Sequence, residues 1–91
     1  MEFFYSVWFR NSTFTPDDQD FEWPACFIIE ARSQVDALEW GDHLSRNYVA
    51  DNSDEKFLRS DVEEISQWSD NLNELPRIKY GYEASNNEIG W

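Results

Sequence analysis

Residues 2–9 are almost wholly apolar, with Phe3, Tyr5, Val7 and Phe9 on one alternation set and Phe4 and Trp8 on the other. A period of two in aromatic and β-branched residues predicts a strand, and apolar residues on both sets mean that both of its faces need cover. A second run, 25–32, repeats the pattern: Phe27 and Ile29 stand opposite Cys26 and Ile28, and the chain turns polar at Glu30 and Arg32. Such a strand belongs in the middle of a sheet, paired antiparallel with the first. Pro24 fits a first-residue position, where no ladder donor is lost. Between the two runs, residues 10–23 carry Asn11, Ser12, Pro16, Asp17, Asp18, Gln19 and Asp20, the composition of a surface loop, and one long enough to be a candidate functional loop.

The period then changes. Val35, Leu38, Gly41 or Asp42, Leu44 and Tyr48 recur near 3.6 residues, with Glu39, Asp42, His43 and Arg46 on the polar side, so residues 33–49 read as an amphipathic helix. Ser33 opens it as N-cap, and Asp36 three residues on resembles the partner of a capping box. Gly41 inside a helix costs about 1 kcal/mol relative to Ala, which predicts a close approach to the sheet, under Trp40 or a strand aromatic.

After a polar turn at 51–55, two readings compete. A strand from Phe57 to Ile65 would turn Arg59, Asp61 and Glu63 to water. Alternatively, Ser60 and Glu63 cap a short second helix within 61–75, with Val62, Ile65, Trp68, Leu72 and Leu75 on one stripe ending before Pro76. The weak helix formers between 66 and 73 favour the strand, followed by an irregular acidic segment. Residues 77–83 alternate again, with Ile78, Tyr80 and Tyr82 on one side, and predict a final strand. The polar tail 84–91 ends in Trp91, an indole suited to docking on an apolar surface. The sum is an α+β fold: two layers, about four mainly antiparallel strands and one main helix on one face.

A length of 91 residues limits the chain to one domain, 1–91, since halves of that size would bury too little apolar surface to fold separately. The 18% of aromatic residues lets a short chain build a core from few side chains. Cys26 is the single cysteine, which excludes an internal disulfide and fits a buried small hydrophobe in a reducing compartment. The opening Met1-Glu2-Phe3-Phe4 lacks the basic start of an export signal, and no apolar run approaches the length of a membrane span, so the expected location is cytoplasmic.

A formal charge of -12 changes the functional picture most. Nucleic acids and anionic membranes both require a basic face, so neither is an expected partner, whereas a basic protein is. Chemistry has little to work with. His43 is the only histidine, and Cys26 sits in an apolar strand without a cation to lower its pKa, which argues against a nucleophilic pair. Glu39 and His43 share a helix face, but zinc needs further soft or imidazole ligands that the chain lacks. Asp18, Asp20 and Glu22 alternate like the start of a calcium loop, yet Trp23 and Ile29 stand where glycine and glutamate are required. Paired acids such as Glu63 and Glu64 point to opposite faces of a strand, and three glycines cannot hide a phosphate loop. No catalytic, metal or cofactor residue is assigned.

What survives is a non-enzymatic interaction module that holds a basic protein partner, much as immunity and antitoxin proteins hold nuclease toxins, an analogy of charge and size only. The candidate contact residues are Asp17, Asp18, Asp20, Phe21, Trp23, Glu63, Glu64 and Trp68, which interleave acids with aromatic anchors. Two alternatives remain open. One is a DNA mimic, which requires carboxylates along one continuous ridge. The other is a small acid/base or metal-dependent enzyme using His43 and nearby carboxylates. Because one helix covers one sheet face, a homodimer through the uncovered face is a further expectation.

Overall fold

The computed structural model describes residues 1–65 and 75–91. Among these, the chain runs β1 (Glu2–Asn11), β2 (Glu22–Glu30), α1 (Gln34–Asp51), β3 (Glu55–Glu64), β4 (Arg77–Lys79) and α2 (Asn86–Ile89). The strands make one sheet of order β3-β1-β2-β4, in which β1 is antiparallel to β2 and β3 while β4 is parallel to β2. The architecture is α+β, with α1 lying across one face.

The doubly apolar β1 takes the middle of the sheet. Phe3, Tyr5, Val7 and Phe9 are buried towards α1, while Phe4, Ser6, Trp8 and Arg10 are half-buried on the outer face. β2 is central only where β4 pairs with Ile28, Ile29 and Glu30; from Glu22 to Phe27 it is an edge among the described residues. Pro24 therefore lies inside the strand instead of at its first residue. The N–H of Ile28 points away from β1, to the Pro76 carbonyl at 2.9 Å. Positions two and four residues earlier share that direction, so the donor that Pro24 lacks is on the open side and no bond to β1 is lost.

β3 realises the strand reading of 57–65, and its last residues occupy the start of the competing helix. Its Val62 is buried and Arg59, Asp61 and Glu63 are exposed. Residues 66–74, on which the rest of that helix falls, lie outside the described residues. The register between β1 and β3 shifts between Trp8 and Phe9, so that Trp8 faces Arg59 while Phe9 faces Phe57. The extra residue, Leu58, is a bulge that returns Phe57 and Glu55 to the face of α1. Glu55 there accepts from Trp23 Nε1 at 3.0 Å and from Asn11 Nδ2 at 2.8 Å.

α1 begins at the predicted cap, with the Ser33 hydroxyl accepting from the Asp36 amide at 3.2 Å. Its buried stripe is Ala37, Gly41, Leu44, Ser45 and Tyr48. Val35, expected in the core, is 73% exposed. Small residues line the stripe because helix and sheet approach closely: a β-carbon on Gly41 would overlap the Tyr5 ring. Asp42, expected on the polar side, turns to this seam and accepts from Tyr5 Oη at 2.8 Å and Ser60 Oγ at 2.5 Å; Ser45 Oγ completes the group at 2.9 Å from Tyr5 Oη. Burial pushes the Tyr5 phenol far above its ordinary range.

The predicted strand 77–83 is shorter than its alternation suggests, closing after Lys79. Tyr80 and Tyr82 follow it exposed, around a turn in which Gly81 has φ 90°. The tail is structured. Ser85 and Glu88 form a reciprocal capping box on α2, and Gly90, at φ 89°, ends that helix so that Trp91 turns inward. The Trp91 ring lies 5.0 Å from that of Tyr48 and 5.5 Å from those of Phe9 and Phe27, and its Nε1 donates to Asn86 Oδ1. The C-terminus thus docks beside α1 and leaves the outer face of the sheet to other cover. On that face the Arg59 guanidinium lies over the Trp8 ring at 4.9 Å, and Cys26 is half-buried instead of fully buried, with its thiol pKa raised by desolvation.

Candidate functional site

The exposed face of α1 presents Asp36, Trp40, His43 and Asn47 at helical spacing, and residues 80–86 run beside it. Three contacts fasten the two together: Trp40 Nε1 donates to the Tyr82 carbonyl at 3.1 Å, His43 Nε2 meets Glu83 Oε1 at 2.6 Å, and Asn47 Nδ2 reaches Glu83 Oε2 at 3.4 Å. Trp40 stacks on His43 with centroids 4.6 Å apart and meets Tyr80 at 5.5 Å. Tyr82 Oη donates to Glu88 at 2.6 Å; that bond and the charge of Glu88 raise the phenol pKa, and the same bond lowers that of Glu88.

On either side of this fastening the surface sinks. Towards the N-terminus of α1 lies an open hollow of about 650 Å³ bounded by Glu30, Arg32, Asp36, Lys79 and Tyr80. Towards its C-terminus lies one of about 400 Å³, bounded by Asn47, Ala50, Asp51, Ala84, Ser85 and Asn86. The two hollows are separate, and with the aromatic contact that divides them they lie in line along the helix as a shallow, interrupted groove. From Asp36 to Asp51 it is about 22 Å long, at 1.5 Å per helical residue. Among the described residues the exposed large apolar side chains are Met1, Phe14, Val35, Tyr80 and Tyr82, of which Met1 and Tyr80 line the first hollow.

The residues singled out from the sequence do not gather in one place. Asp17, Asp18 and Asp20 are exposed in the loop 12–21, where Asp18 accepts the Asp20 amide at 2.9 Å as a local turn. Phe21 is half-buried beneath the Arg10 guanidinium at 5.2 Å. Trp23 is half-buried and packs against the core, 5.1 Å from Phe9 and 6.0 Å from Tyr48. Glu63 and Glu64 flank the opposite end of β1, paired with Phe4 and Phe3. About 26 Å of strand therefore separates them from the loop. Trp68 lies outside the described residues. None of the described candidates lines either hollow beside α1, and the indole that stands between the hollows is that of Trp40. Tyr80, Tyr82 and Glu83 escaped notice because alternation placed them in a strand.

His43 pairs with a distant carboxylate, Glu83, instead of its helix neighbours Glu39 and Asp42. The pair can pass a proton, but its other contacts are Trp40 and Asn47, neither a nucleophile. No group of three or more His, Cys, Asp or Glu suited to a metal occurs among the described residues, nor a helix long and apolar enough to cross a membrane. No protein-family model, curated protein or solved structure matches the chain.

Proposed function

We propose that the protein is a non-enzymatic interaction module for a basic protein partner, with the groove along α1 as its contact surface. The observation that carries this reading is the exposure of Tyr80 and Tyr82 beside Trp40 and Glu83 on a strongly acidic molecule. Aromatic side chains within a polar rim are the usual anchors of interfaces. An excess of negative charge steers a cationic partner to them and rejects anionic ones. Among the described residues carboxylates occur at both ends of the sheet, and on the outer side of β3 Asp61 and Glu63 share their row with Arg59, an interruption that favours this reading over a DNA mimic.

The test is affinity capture from the source cell with the immobilised chain. A basic protein should be retained at low salt and released as salt rises, and Trp40→Ala with Tyr82→Ala should abolish retention. If the double variant retains the same protein as wild type, or if nothing cationic is retained, the reading fails.

A further inference from the structure

β3 is an edge of the sheet among the described residues, and an edge strand offers its outward N–H and C=O groups to any further strand. The register fixes which groups these are. The Ile65 amide donates inward to the Glu2 carbonyl at 3.1 Å, and the pairing with β1 runs without a shift from there to Arg59, so the backbone groups of Ser60, Val62 and Glu64 point away from β1. The bulge at Leu58 ends this regular stretch. Two side chains close its middle residue. Asp61 Oδ1 accepts the Val62 N–H at 2.9 Å, and Gln34 Nε2, from the start of α1, donates to the Val62 carbonyl at 3.1 Å. Val62 is only 3% exposed, so both of its outward groups are bonded and covered. No two successive outward residues are left for a ladder. On the other side of the sheet β4 is three residues long and β2 carries Pro24, so that side is guarded by other means.

We infer that Gln34 and Asp61 hold the β3 edge closed to a second copy of this chain, and that without them β3 pairs antiparallel with its own equivalent. The inference is independent of the proposed binding role. Identical edges meet about a two-fold axis, so freeing one frees both. The charges select the register: with the axis at residue 61, Arg59 of each copy lies opposite Glu63 of the other, while Ser60 and Val62 exchange backbone bonds across the seam. In that register Asp61 faces Asp61. Its carboxylate therefore opposes pairing twice, by taking the Val62 amide and by like charge across the axis. Arg59, Asp61 and Glu63 share the outer row of β3 and are exposed, where another copy reaches them.

The test uses the full chain in sedimentation velocity over a range of concentrations, with circular dichroism to verify the fold. Wild type should sediment as a single copy. Gln34→Ala with Asp61→Ala should form a two-copy species, with a dissociation constant on the order of tenfold or more below any that the wild type shows. Adding Glu63→Arg to that pair should abolish the association, because Arg59 then meets like charge. Gln34→Ala with Glu64→Ala removes the same charge without freeing the Val62 amide and should stay a single copy. Asp61→Ala alone, at an exposed position, should associate more weakly than the pair, and it carries the test if the pair does not fold. Hydrogen exchange should place the new protection at Ser60 and Val62. Folded Asp61→Ala variants that stay single copies, equal association by the Glu64→Ala control, or protection at residues 22–27 instead would overturn the inference. So would a wild type that already pairs through residues 60–64.

Discussion

Gly41 lies directly against the ring of Tyr5, so close that a methyl group in place of its hydrogen would overlap Cε2 and Cδ2 of the phenol. This contact sets the height of α1 over the sheet. It also brings Asp42 and Ser45 within hydrogen-bonding reach of the buried Tyr5 hydroxyl, beside which Ser60 of β3 also lies.

Gly41→Ala therefore destabilises the fold although alanine is the better helix former. So close an approach to the ring puts overpacking at the upper end of its usual range, about 3 kcal/mol, against about 1 kcal/mol regained in propensity, for an expected net loss of about 2 kcal/mol in urea unfolding. In a Tyr5→Leu background the same substitution should cost much less, and the difference measures the coupling. Equal costs in both backgrounds would show that the ring does not limit the approach.

Trp91 closes the aromatic cluster of Phe9, Phe27 and Tyr48 from the C-terminal side. Trp91→Ala should cost about 3 kcal/mol, within the usual range for emptying an indole site. The loss should appear as a lower midpoint in thermal unfolding followed by circular dichroism. A change below about 0.5 kcal/mol would mean that the tail is not docked.

Ionisation of the tyrosines follows their surroundings. Burial raises the Tyr5 and Tyr48 phenols, and the bond to Glu88 raises that of Tyr82. A phenol whose folded pKa is raised contributes stability that is complete below its ordinary value near 10 and lost as pH rises beyond it. Glu88, whose pKa is lowered, acts in the opposite sense: its contribution is complete above the ordinary value of 4.5 and lost as pH falls. Absorbance at 295 nm should show the last tyrosinate appearing together with alkaline unfolding, and Tyr5→Phe should remove that coincident step. Tyr5 ionising in the folded protein before the others would contradict its burial.

Pro24 sits on the stretch of β2 that has no outer strand partner among the described residues, with its missing donor turned outward and Ile89 to Trp91 nearby. Natural sheets use proline in this way to deter pairing with another chain. Pro24→Thr should leave stability within about 0.5 kcal/mol but restore an outward N–H, and sedimentation velocity should then show concentration-dependent association that the wild-type edge lacks. Dimerisation of the wild type that persists when Pro24 is changed to a charged residue would locate self-association elsewhere, and the outer face around Trp8 and Cys26 would be the place to examine.

Much of the scaffold was readable in the chain because its signals are local. Apolar residues on both alternation sets of 2–9 describe a central strand, Ser33 caps α1, and the glycine at 41 implies a close helix–sheet approach. The misplacements share a cause. Val35 is large and apolar at nearly the right phase, yet the buried stripe selects Ala37, Gly41 and Ser45, because the height of the helix is set by the strand beneath it. Trp23 reads as a surface anchor next to an acidic loop, and the bulge at Leu58 brings Glu55 to its indole and holds the ring half-buried against the core. Tyr80 and Tyr82 alternate like a strand, and only the turn at Gly81 shows why they leave the sheet. The groove itself joins residues some 40 positions apart, as with His43 and Glu83, and no local pattern encodes that pairing.

The central claim is that the partner contacts the groove along α1. Hydrogen–deuterium exchange of the chain with and without its captured basic partner tests it most directly. The expected result is added protection confined to residues 36–51 and 80–86, weakened by Trp40→Ala and Tyr82→Ala, with the loop 12–21 exchanging as in the free protein. Protection centred on residues 12–21, with α1 and residues 80–86 unchanged, would contradict it.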